Sequence, residues 1–530
     1  MNKRLLIALV LSFFVLTIYG YFVPTKAPVA NDKNATTVAS KQEAKTKAAP
    51  IVNSSEKVTK SDIKAPVASD SKIIATVETK KYTLKIDSLG RFDSVILKEK
   101  KYKTDDGKPL DIIAKNTIKP LEVRFKDSNI NNIAFKNEYT ATVKNIDASS
   151  TKATITLEQD LGSFKLKKII TFYPEGHYDL KVETTKDAKY FITPGFRPTV
   201  DKSMYLVVRG VIIRDANGVV TTLEKGDVKD VKTFNNAVVA AAVDRYYATL
   251  FFKKSGIFRA TVAPSGIKGY EEEPIAFIQV DSKDELKGYV GPKEWKLFSS
   301  LDKKLEDIIE FGWFTFLARP FFKIMYAIYN FVGNWGWAII IFTILVKLIL
   351  FPLSYKGLMS MQKLKDLAPK MKEIREKYGK DPAKMNQQMM NLYRKHGANP
   401  MGGCLPMLLQ IPIFFALYRV LLNADELQGA PWIGWITDLS RQDPYFILPI
   451  LMGITMYIQQ KITPNTMTDP MQKKIFQWLP VIMTFFFLTF PAGLVLYWLV
   501  NNILTIAQQY YINIAYEKYK QKLKEAKKSE

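Results

Sequence analysis

The feature that most constrains the fold is a run of 42 residues without a charged side chain, from Ile475 to Tyr516. One transmembrane helix needs about 20 apolar residues, so this run is long enough for two. It contains Pro491-Ala492-Gly493, a sequence typical of a turn. The pattern therefore predicts two membrane-spanning helices, at 475–490 and 493–512, joined by a very tight hairpin.

Four other segments are apolar and long enough to span a membrane, which makes six in all. They are predicted at 1–23, 321–354, 399–422 and 444–461. The first could instead be a cleaved signal peptide. Its apolar stretch is long, and no small-x-small cleavage site precedes Pro24, so an uncleaved signal anchor is preferred. The sequence predicts a polytopic α-helical membrane protein with six transmembrane helices.

The distribution of lysine and arginine predicts the orientation of these helices. Residues 355–397 hold eleven Lys/Arg against four Asp/Glu, whereas residues 423–443 hold one basic and four acidic side chains. Six lysines lie in the tail at 513–530. Because cytoplasmic loops carry the excess of basic residues, both termini are predicted to be cytoplasmic. The long segment after the first helix is then outside, in a bacterial periplasm, with lipid headgroups as the counter-charge of the basic loops and tail.

This outer segment has two parts of different composition. Residues 24–72 contain few large apolar residues and are predicted to be a disordered tether. Residues 73–292 alternate apolar and polar side chains, as in Tyr82–Ile86, with turn sequences such as Asn217-Gly218 between the runs. They are predicted to form a periplasmic antiparallel β-sandwich domain. The single cysteine, Cys404, lies outside it, so the domain contains no disulfide.

Residues 293–320 have leucine and isoleucine at helical spacing, with charged residues between them. They are predicted to form an amphipathic periplasmic surface helix. Two locations fit this pattern equally well. The helix could lie on the outer membrane surface before the second span, or it could pack only against the β domain.

The basic segment at 355–398 is predicted to form a cytoplasmic helical hairpin. Leu364, Leu367, Met371, Ile374 and Tyr378 step by three and four residues, and Met385, Met389 and Leu392 continue the seam. Asp381-Pro382 predicts the start of the second helix. A plain connector is the alternative, but a docking or gating element is favoured. The basic side chains that coat the hairpin are Lys363, Lys365, Lys370, Lys372, Arg375, Lys377, Lys380 and Lys384.

One charge interrupts the second predicted span. Lys347 is the only charged side chain between Ile324 and Tyr355. An ionisable group inside an apolar span costs several kcal/mol unless it meets water or a partner, so it indicates function. Thr343 precedes it by one helical turn. The alternative is that Lys347 reaches the headgroups along its methylene stem.

The sequence contains none of the common catalytic motifs. It has no P-loop, HExxH, CxxC or G-x-S-x-G, and its two histidines, His177 and His396, fall on opposite sides of the membrane. His177 is predicted to be a surface loop residue rather than a metal ligand. An enzyme, a cofactor and a metal are not expected, and no RNA-binding motif accompanies the net charge of +25. A transporter or channel with an intramembrane lysine remains the alternative class.

Six short motifs resemble the YidC/Oxa/Alb family of membrane protein insertases in order and in spacing. They are Gly336–Leu353, Asn399–Pro406, Gln410–Phe414, Asp443–Tyr445, Thr468–Gln472 and Pro491–Tyr497. The resemblance covers about residues 310–515, and the N-terminal anchor, tether and β-sandwich are similar to the Gram-negative form. It implies a five-helix insertase core around a hydrophilic groove that is open to the cytoplasm and to lipid.

The resemblance also implies roles for individual residues. Lys347 stands where the Gram-negative form has an arginine, so the charge is kept and the planar fork is lost. Thr343, Gln410, Tyr497 and Trp498 would line or border the groove, although Tyr497 and Trp498 could also be interfacial or lipid-packing residues. The implied partners are nascent membrane proteins, components of the Sec translocon, the ribosome and targeting machinery, and membrane lipids.

Overall fold

The structure is a computed structural model that describes residues 58–59, 72–104, 106–201, 203, 205, 207–279, 285–398, 405–463 and 470–526. The predicted anchor, nearly all of the predicted tether, and the motif residues Asn399–Cys404 and Thr468–Asp469 lie outside these ranges. The chain divides into two compact units, Met1–Ile309 and Glu310–Glu530. The first is called the β domain and the second the helical unit.

The described part of the β domain consists of β-strands with two short helices. The strands are β1 Ile73–Thr79, β2 Tyr82–Asp87, β3 Phe92–Leu97, β4 Val123–Phe125, β5 Thr140–Ala141, β6 Asn145–Ala148, β7 Ala153–Asp160, β8 Lys165–Phe172, β9 His177–Thr184, β10 Tyr190–Ile192, β11 Gly210–Asp215, β12 Val220–Glu224, β13 Lys232–Val243, β14 Tyr247–Phe252, β15 Phe258–Pro264, β16 Pro274–Gln279 and β17 Glu285–Pro292. The helices are α1 Ser128–Ala134 and α2 Trp295–Leu301.

The strands form two sheets. The smaller has the order β3-β2-β1-β6, and the larger follows the path β4-β10-β16-β15-β13-β14-β17-β9-β8-β7-β5, with β11 pairing β12 and β13 beside it. The predicted antiparallel arrangement is correct for all pairs in the larger sheet and wrong for one pair in the smaller. β1 and β6 are parallel, from Thr76 opposite Asn145 to Thr79 opposite Ala148. The long connection between these strands permits that arrangement, since parallel neighbours need a crossover.

The period-two pattern that predicted strands is confirmed in β2, where Tyr82, Leu84 and Ile86 are fully buried and the residues between them are partly exposed. Gly218 turns the chain between β11 and β12 with a φ of +90°. The prediction that His177 lies in a surface loop is wrong, because His177 is the first residue of β9. It is half-buried there, and its ring stacks on Tyr173 with 4.3 Å between centroids.

The predicted amphipathic helix at 293–320 is not one helix. α2 ends at Leu301, and Asp302 has an extended backbone with φ −164° before a 3-10 turn at Lys303–Ile308. Phe298, Leu305 and Ile308 are fully buried. Asp307 accepts a hydrogen bond from Arg214 of β11 at 2.5 Å. For residues up to Ile309 the structure therefore favours the location against the β domain over the membrane surface.

A buried network of charged side chains joins the two sheets of the β domain. Arg91, in the turn before β3, binds Asp87 and Glu122 at 2.9 Å each. Lys168 of β8 lies among them and is fully buried. Its ammonium donates to the carbonyls of Gly90 and Leu121 at 2.9 Å each. Burial lowers the pKa of Lys168 to about 7; Asp87 and Glu122 oppose that shift, and Arg91 adds to it.

The described part of the helical unit is built from helices of very different length. They are α3 Thr315–Val332, α4 Trp335–Asp366, α5 Ala368–Tyr378, α6 Pro382–Lys395, α7 Leu405–Asn423, α8 Ile447–Ile462, α9 Pro470–Phe487 and α10 Ala492–Ala526. α10 packs against α4, α7 and α8, and α3 packs against α4 and α7. The chain breaks between α9 and α10 at residues 488–491, slightly before the predicted Pro491-Ala492-Gly493 turn, because Ala492 and Gly493 already belong to α10.

The second predicted span, 321–354, is divided between two helices in the structure, α3 and α4, which extend beyond it at both ends. The division is at Gly333, which has φ +68° and is the C-cap of α3, and the side chain of Asn334 caps the start of α4. Among the described helices, α4 alone is long and apolar enough to cross a membrane by length and composition. Shorter apolar helices are at Leu409–Asn423 and Lys474–Phe487. Six transmembrane helices therefore stay a prediction.

The hairpin consists of the end of α4 with α5 and α6. Asp381 caps α6 by accepting from the backbone of Lys384 at 3.1 Å, and Pro382 is its first residue. Buried side chains of both arms form one cluster, which contains Leu364, Leu367, Met371, Met389 and Ala398, with Ile374, Leu392 and Tyr393 packed against it. Most of the predicted seam residues thus meet in a single apolar contact.

The end of α4 is also tied to α10. Asp366, the last residue of α4, accepts a hydrogen bond from the hydroxyl of Tyr516 at 2.9 Å and binds Lys520 at 3.1 Å. One turn earlier, the amide of Gln362 donates to Asn513. These contacts, called the Asp366 clasp, join the base of the hairpin to the last turns of α10.

The buried Lys168 predicts a pH dependence for the β domain. The ordinary lysine pKa is 10.5 and the folded value is about 7, so the unfolded state binds more protons between these values. The contribution of Lys168 to the free energy of unfolding should rise by on the order of 3 kcal/mol from about pH 7 to about pH 9.5, and stay level below pH 7. Pulse proteolysis of the full chain across a urea series measures it.

Lys168→Met should remove this rise. Lys167→Met, a change of a half-exposed lysine on the same strand, is the matched control and should keep it. Equal pH slopes for the wild type and Lys168→Met would contradict the assignment.

Candidate functional site

The lysine singled out by the sequence lies on α4 and reaches α10. The ammonium of Lys347 donates to the hydroxyl of Thr505 at 2.8 Å. That hydroxyl donates in turn to the carbonyl of Asn501, four residues earlier on α10, at 2.7 Å. The lysine side chain is half-buried. The ammonium of Lys347 is therefore hydrogen-bonded to a neighbouring helix, α10.

The charge of Lys347 is not neutralised by the part of the protein that the structure describes. No carboxylate of those residues lies within 4 Å of its ammonium, whereas Lys520 on α10 has Asp366 as a partner. An ammonium has three donors, and Thr505 takes one of them. Two donors are thus left for water or for a ligand with oxygen acceptors.

Thr343 does not contribute its hydroxyl to this site. The side chain is buried, with 1% of its surface exposed, and its hydroxyl donates to the carbonyl of Ile339 on the same helix at 2.7 Å. A hydroxyl that bonds back to its own helix satisfies itself within an apolar contact. The predicted role of Thr343 in lining a groove stays a prediction, and the polar contact that the structure shows for its hydroxyl is with its own helix.

The predicted residues on α7 and α10 form a second polar contact. The amide of Gln410 donates to the hydroxyl of Tyr497 at 2.5 Å, and Tyr497 is almost fully buried. Trp498 packs edge-on against Phe414 of α7 at 4.8 Å and lies 5.1 Å from Phe487 of α9, between ring centroids. Tyr497 and Trp498 are therefore in helix–helix contacts.

These two polar contacts are separate along α10. Tyr497 and Thr505 are eight residues apart, which is about 12 Å of helix rise. The structure brings Lys347 to Thr505 and Gln410 to Tyr497, and it shows no contact between the two pairs. The five residues predicted for the groove thus lie on α4, α7 and α10, and these two hydrogen bonds do not join them into one polar cluster.

The sequence reasoning missed the polar residues of α10 that make the remaining contacts. Asn502 is buried and donates to Thr455 of α8 at 3.3 Å. Gln509 is buried and donates to Asn513 at 2.7 Å. Asn502, Thr505, Gln509 and Asn513 step by three, four and four residues. This helical spacing within an uncharged run is the signal that could have found them.

The basic residues predicted for the hairpin lie on its surface. Lys365, Lys370, Lys372, Arg375, Lys377, Lys380 and Lys384 are exposed, and Lys363 is half-buried. Lys377 and Lys384 both approach the ring of Tyr378, with 5.6 Å from each ammonium to the centroid. The apolar seam and the charged surface are therefore carried by opposite faces of the same two helices.

Comparison with known proteins gives matches along nearly the whole chain. The family model described as "60Kd inner membrane protein" matches residues 327–521, and the one described as "YidC periplasmic domain" matches residues 74–324. No group of three or more His, Cys, Asp or Glu that could hold a metal ion is found in the described ranges.

Relatives named membrane protein insertase YidC are similar over the full length. The chain is 47% identical to that of Campylobacter jejuni over 98% of this chain and 97% of the relative, and 48% identical to that of Wolinella succinogenes over 97% and 95%. A crystal structure of an active YidC insertase with the first transmembrane domain resolved is similar at TM-score 0.37 and 20% identity, over 83% of this chain and 95% of that chain. On its identity to the two relatives from Campylobacter jejuni and Wolinella succinogenes, the chain belongs to the YidC family.

Proposed function

We propose that this protein is an insertase of the bacterial inner membrane, which receives nascent membrane proteins and releases their helices into lipid. The observation that carries this function is the similarity to membrane protein insertases over 98% of the chain. The match to the periplasmic-domain model at 74–324 supports a periplasmic location for the β domain. The unneutralised Lys347 within α4 is the chemical feature that fits the function.

The proposed topology has six transmembrane helices and cytoplasmic termini. The apolar helices α4, α7, α8, α9 and α10 would be the five-helix core, and the N-terminal segment would be the sixth span. The basic hairpin and tail would then lie in the cytoplasm, as the positive-inside rule requires. The acidic connection between α7 and α8 would lie outside.

In this proposal the hairpin is the first part of the protein that a substrate meets. Its exposed lysines and arginine suit partners rich in phosphate or carboxylate, such as the ribosome, the targeting machinery or lipid headgroups. Its apolar seam keeps the two helices together while their charged faces bind. During insertion the protein would bind the nascent chain, either alone or together with components of the Sec translocon.

The short polar outer segment of the substrate then enters a hydrophilic groove of the core. Lys347 attracts this segment when it is acidic, because two donors of its ammonium have no carboxylate partner among the described residues. The attraction would be stronger than in water, since Lys347 is half-buried and its neighbours along α4 are apolar. Lys347 thereby lowers the barrier for the polar part of the substrate.

The apolar helix of the substrate leaves the groove towards lipid. Burial of apolar surface supplies about 25 cal/mol per Å², and a transmembrane helix exposes enough apolar surface for this to exceed the cost of moving a short polar segment. The proposed mechanism needs no nucleotide and no covalent step. The protein shortens the distance that polar groups of the substrate must cross in hydrocarbon. The driving force comes from burial of the substrate's own apolar surface.

The function predicts an outcome in proteoliposomes. The purified full-length protein should insert a small single-span substrate, measured by protease protection, and should not conduct small solutes, measured as release of a trapped dye. Protein-free liposomes are the control. Solute flux without insertion would favour the transporter or channel class and contradict the proposal.

The role of Lys347 predicts a dependence on charge. Lys347→Arg should keep insertion, whereas Lys347→Ala and Lys347→Glu should slow insertion of a substrate with an acidic outer segment by roughly tenfold, the effect of about 1.4 kcal/mol of lost attraction. Lys356→Ala, which removes an exposed charge from the same helix, is the matched control. If Lys347 only reached the headgroups, all of these variants would insert the substrate like the wild type.

The division of labour between the units predicts that two deletions differ. Removing 363–395 should abolish insertion and leave the rest of the helical unit folded, because the hairpin has its own apolar cluster and the other helices lose only the contacts of Asp366 with Tyr516 and Lys520. Removing 71–309, the β domain with its attached α2 and 3-10 turn, should have a milder effect. Protease protection of a substrate at matched expression levels compares them. A greater loss from the second deletion would place the working parts in the periplasm.

A further inference from the structure

We propose that Thr505 is a positioning residue for Lys347, which holds the lysine ammonium at a fixed place beside α10 so that its two remaining donors meet a carboxylate of the substrate. This inference rests on the proposed function and names a residue that acts through Lys347. The substrate feature it concerns is an acidic side chain in the polar outer segment of a membrane protein.

The hydroxyl of Thr505 takes part in two hydrogen bonds, as the donor in one and the acceptor in the other. The hydroxyl proton is donated to the carbonyl of Asn501 at 2.7 Å, so the oxygen is left as an acceptor on its other side. The ammonium of Lys347 lies on this oxygen at 2.8 Å. Thr505 thus has its own orientation fixed by the α10 backbone, and it passes that orientation on to the lysine.

A fixed position matters for a lysine because its stem has four rotatable methylene groups. Without a partner the ammonium would sample many positions, and each productive contact with a substrate would cost the entropy of selecting one. A hydrogen bond from the neighbouring helix removes part of this cost in advance. The ammonium is also drawn to α10, which opposes the alternative path along the methylene stem to the headgroups.

The chemical type of the partner is important as well. An aspartate or glutamate at position 505 would hold the ammonium more strongly, but it would also cancel its charge and compete with an acidic substrate. A hydroxyl has no charge. Thr505 therefore positions Lys347 and leaves its full positive charge for the substrate, and no carboxylate within 4 Å in the described ranges reduces it.

The test compares two substrates that differ only in their outer segment, one acidic and one neutral, in proteoliposomes of the full-length protein. Thr505→Val keeps the shape and removes the acceptor, so the acidic substrate should be inserted about fivefold more slowly, the scale of one typical hydrogen bond. The neutral substrate should be inserted at the wild-type rate. Thr505→Ser keeps the hydroxyl and should restore the acidic substrate.

Two controls separate positioning from packing. Thr463→Val removes a hydroxyl that bonds only to its own helix, at 2.7 Å from the Gln459 carbonyl, and should change neither substrate. In a Lys347→Ala background, Thr505→Val should have no further effect on the acidic substrate, because the two residues act as one unit.

The inference is overturned if Thr505→Val inserts both substrates at the wild-type rate, or if it slows both equally, which would be a packing defect. It is also overturned if the two changes add independently. None of these results touches the proposed function as long as the wild type inserts the neutral substrate. Failure of the wild type to insert either substrate would refute the proposed function itself.

Discussion

A row of polar side chains on α10 gives the neighbouring helices their cross-helix hydrogen bonds. Tyr497 receives the amide of Gln410 on α7, Asn502 donates to Thr455 on α8, and Thr505 receives the ammonium of Lys347 on α4. Among apolar side chains such bonds contribute about 0.6–2 kcal/mol each and also fix which faces meet. Since lipid would supply little apolar driving force between helices, each of these contacts adds to the packing of the unit.

Close approach of other helices depends on small residues. Gly453 of α8 faces Thr484 of α9, and a Cβ on Gly453 would lie 2.0 Å from the threonine hydroxyl oxygen. Gly336 at the start of α4 faces Trp432 in the same way, with 2.1 Å to its ring. The absence of a side chain at these positions lets neighbouring segments pack at short range, which dispersion forces reward.

The sequence predicted those features that a charge or a break makes conspicuous. Lys347 stood out because it is a cation in an apolar run. The break between α9 and α10 was predicted because an uncharged run of that length needs a turn. Thr505 and Asn502 were missed because uncharged polar residues are common in such runs. The end of α3 at Gly333 was missed because hydropathy does not change across it, although the Asn334 cap was a local signal.

In the β domain, β2 was predicted because one of its faces is partly exposed, whereas β14 is buried along its whole length and shows no alternation. The parallel pairing of β1 with β6 depends on contacts between distant parts of the chain and has no local pattern. The six transmembrane helices and the groove residues stay predictions, because they depend on the position of the membrane around the protein.

The Asp366 clasp and the hairpin seam hold neighbouring segments by different forces, so they respond differently to the surrounding solution. The seam is apolar and is little affected by dissolved ions. The clasp contains an ion pair whose two side chains are about one-third and two-fifths exposed, and physiological salt screens such charges over about 8 Å. The hairpin therefore keeps its internal shape at any ionic strength, whereas the ion pair between α10 and the base of the hairpin weakens as the salt concentration rises.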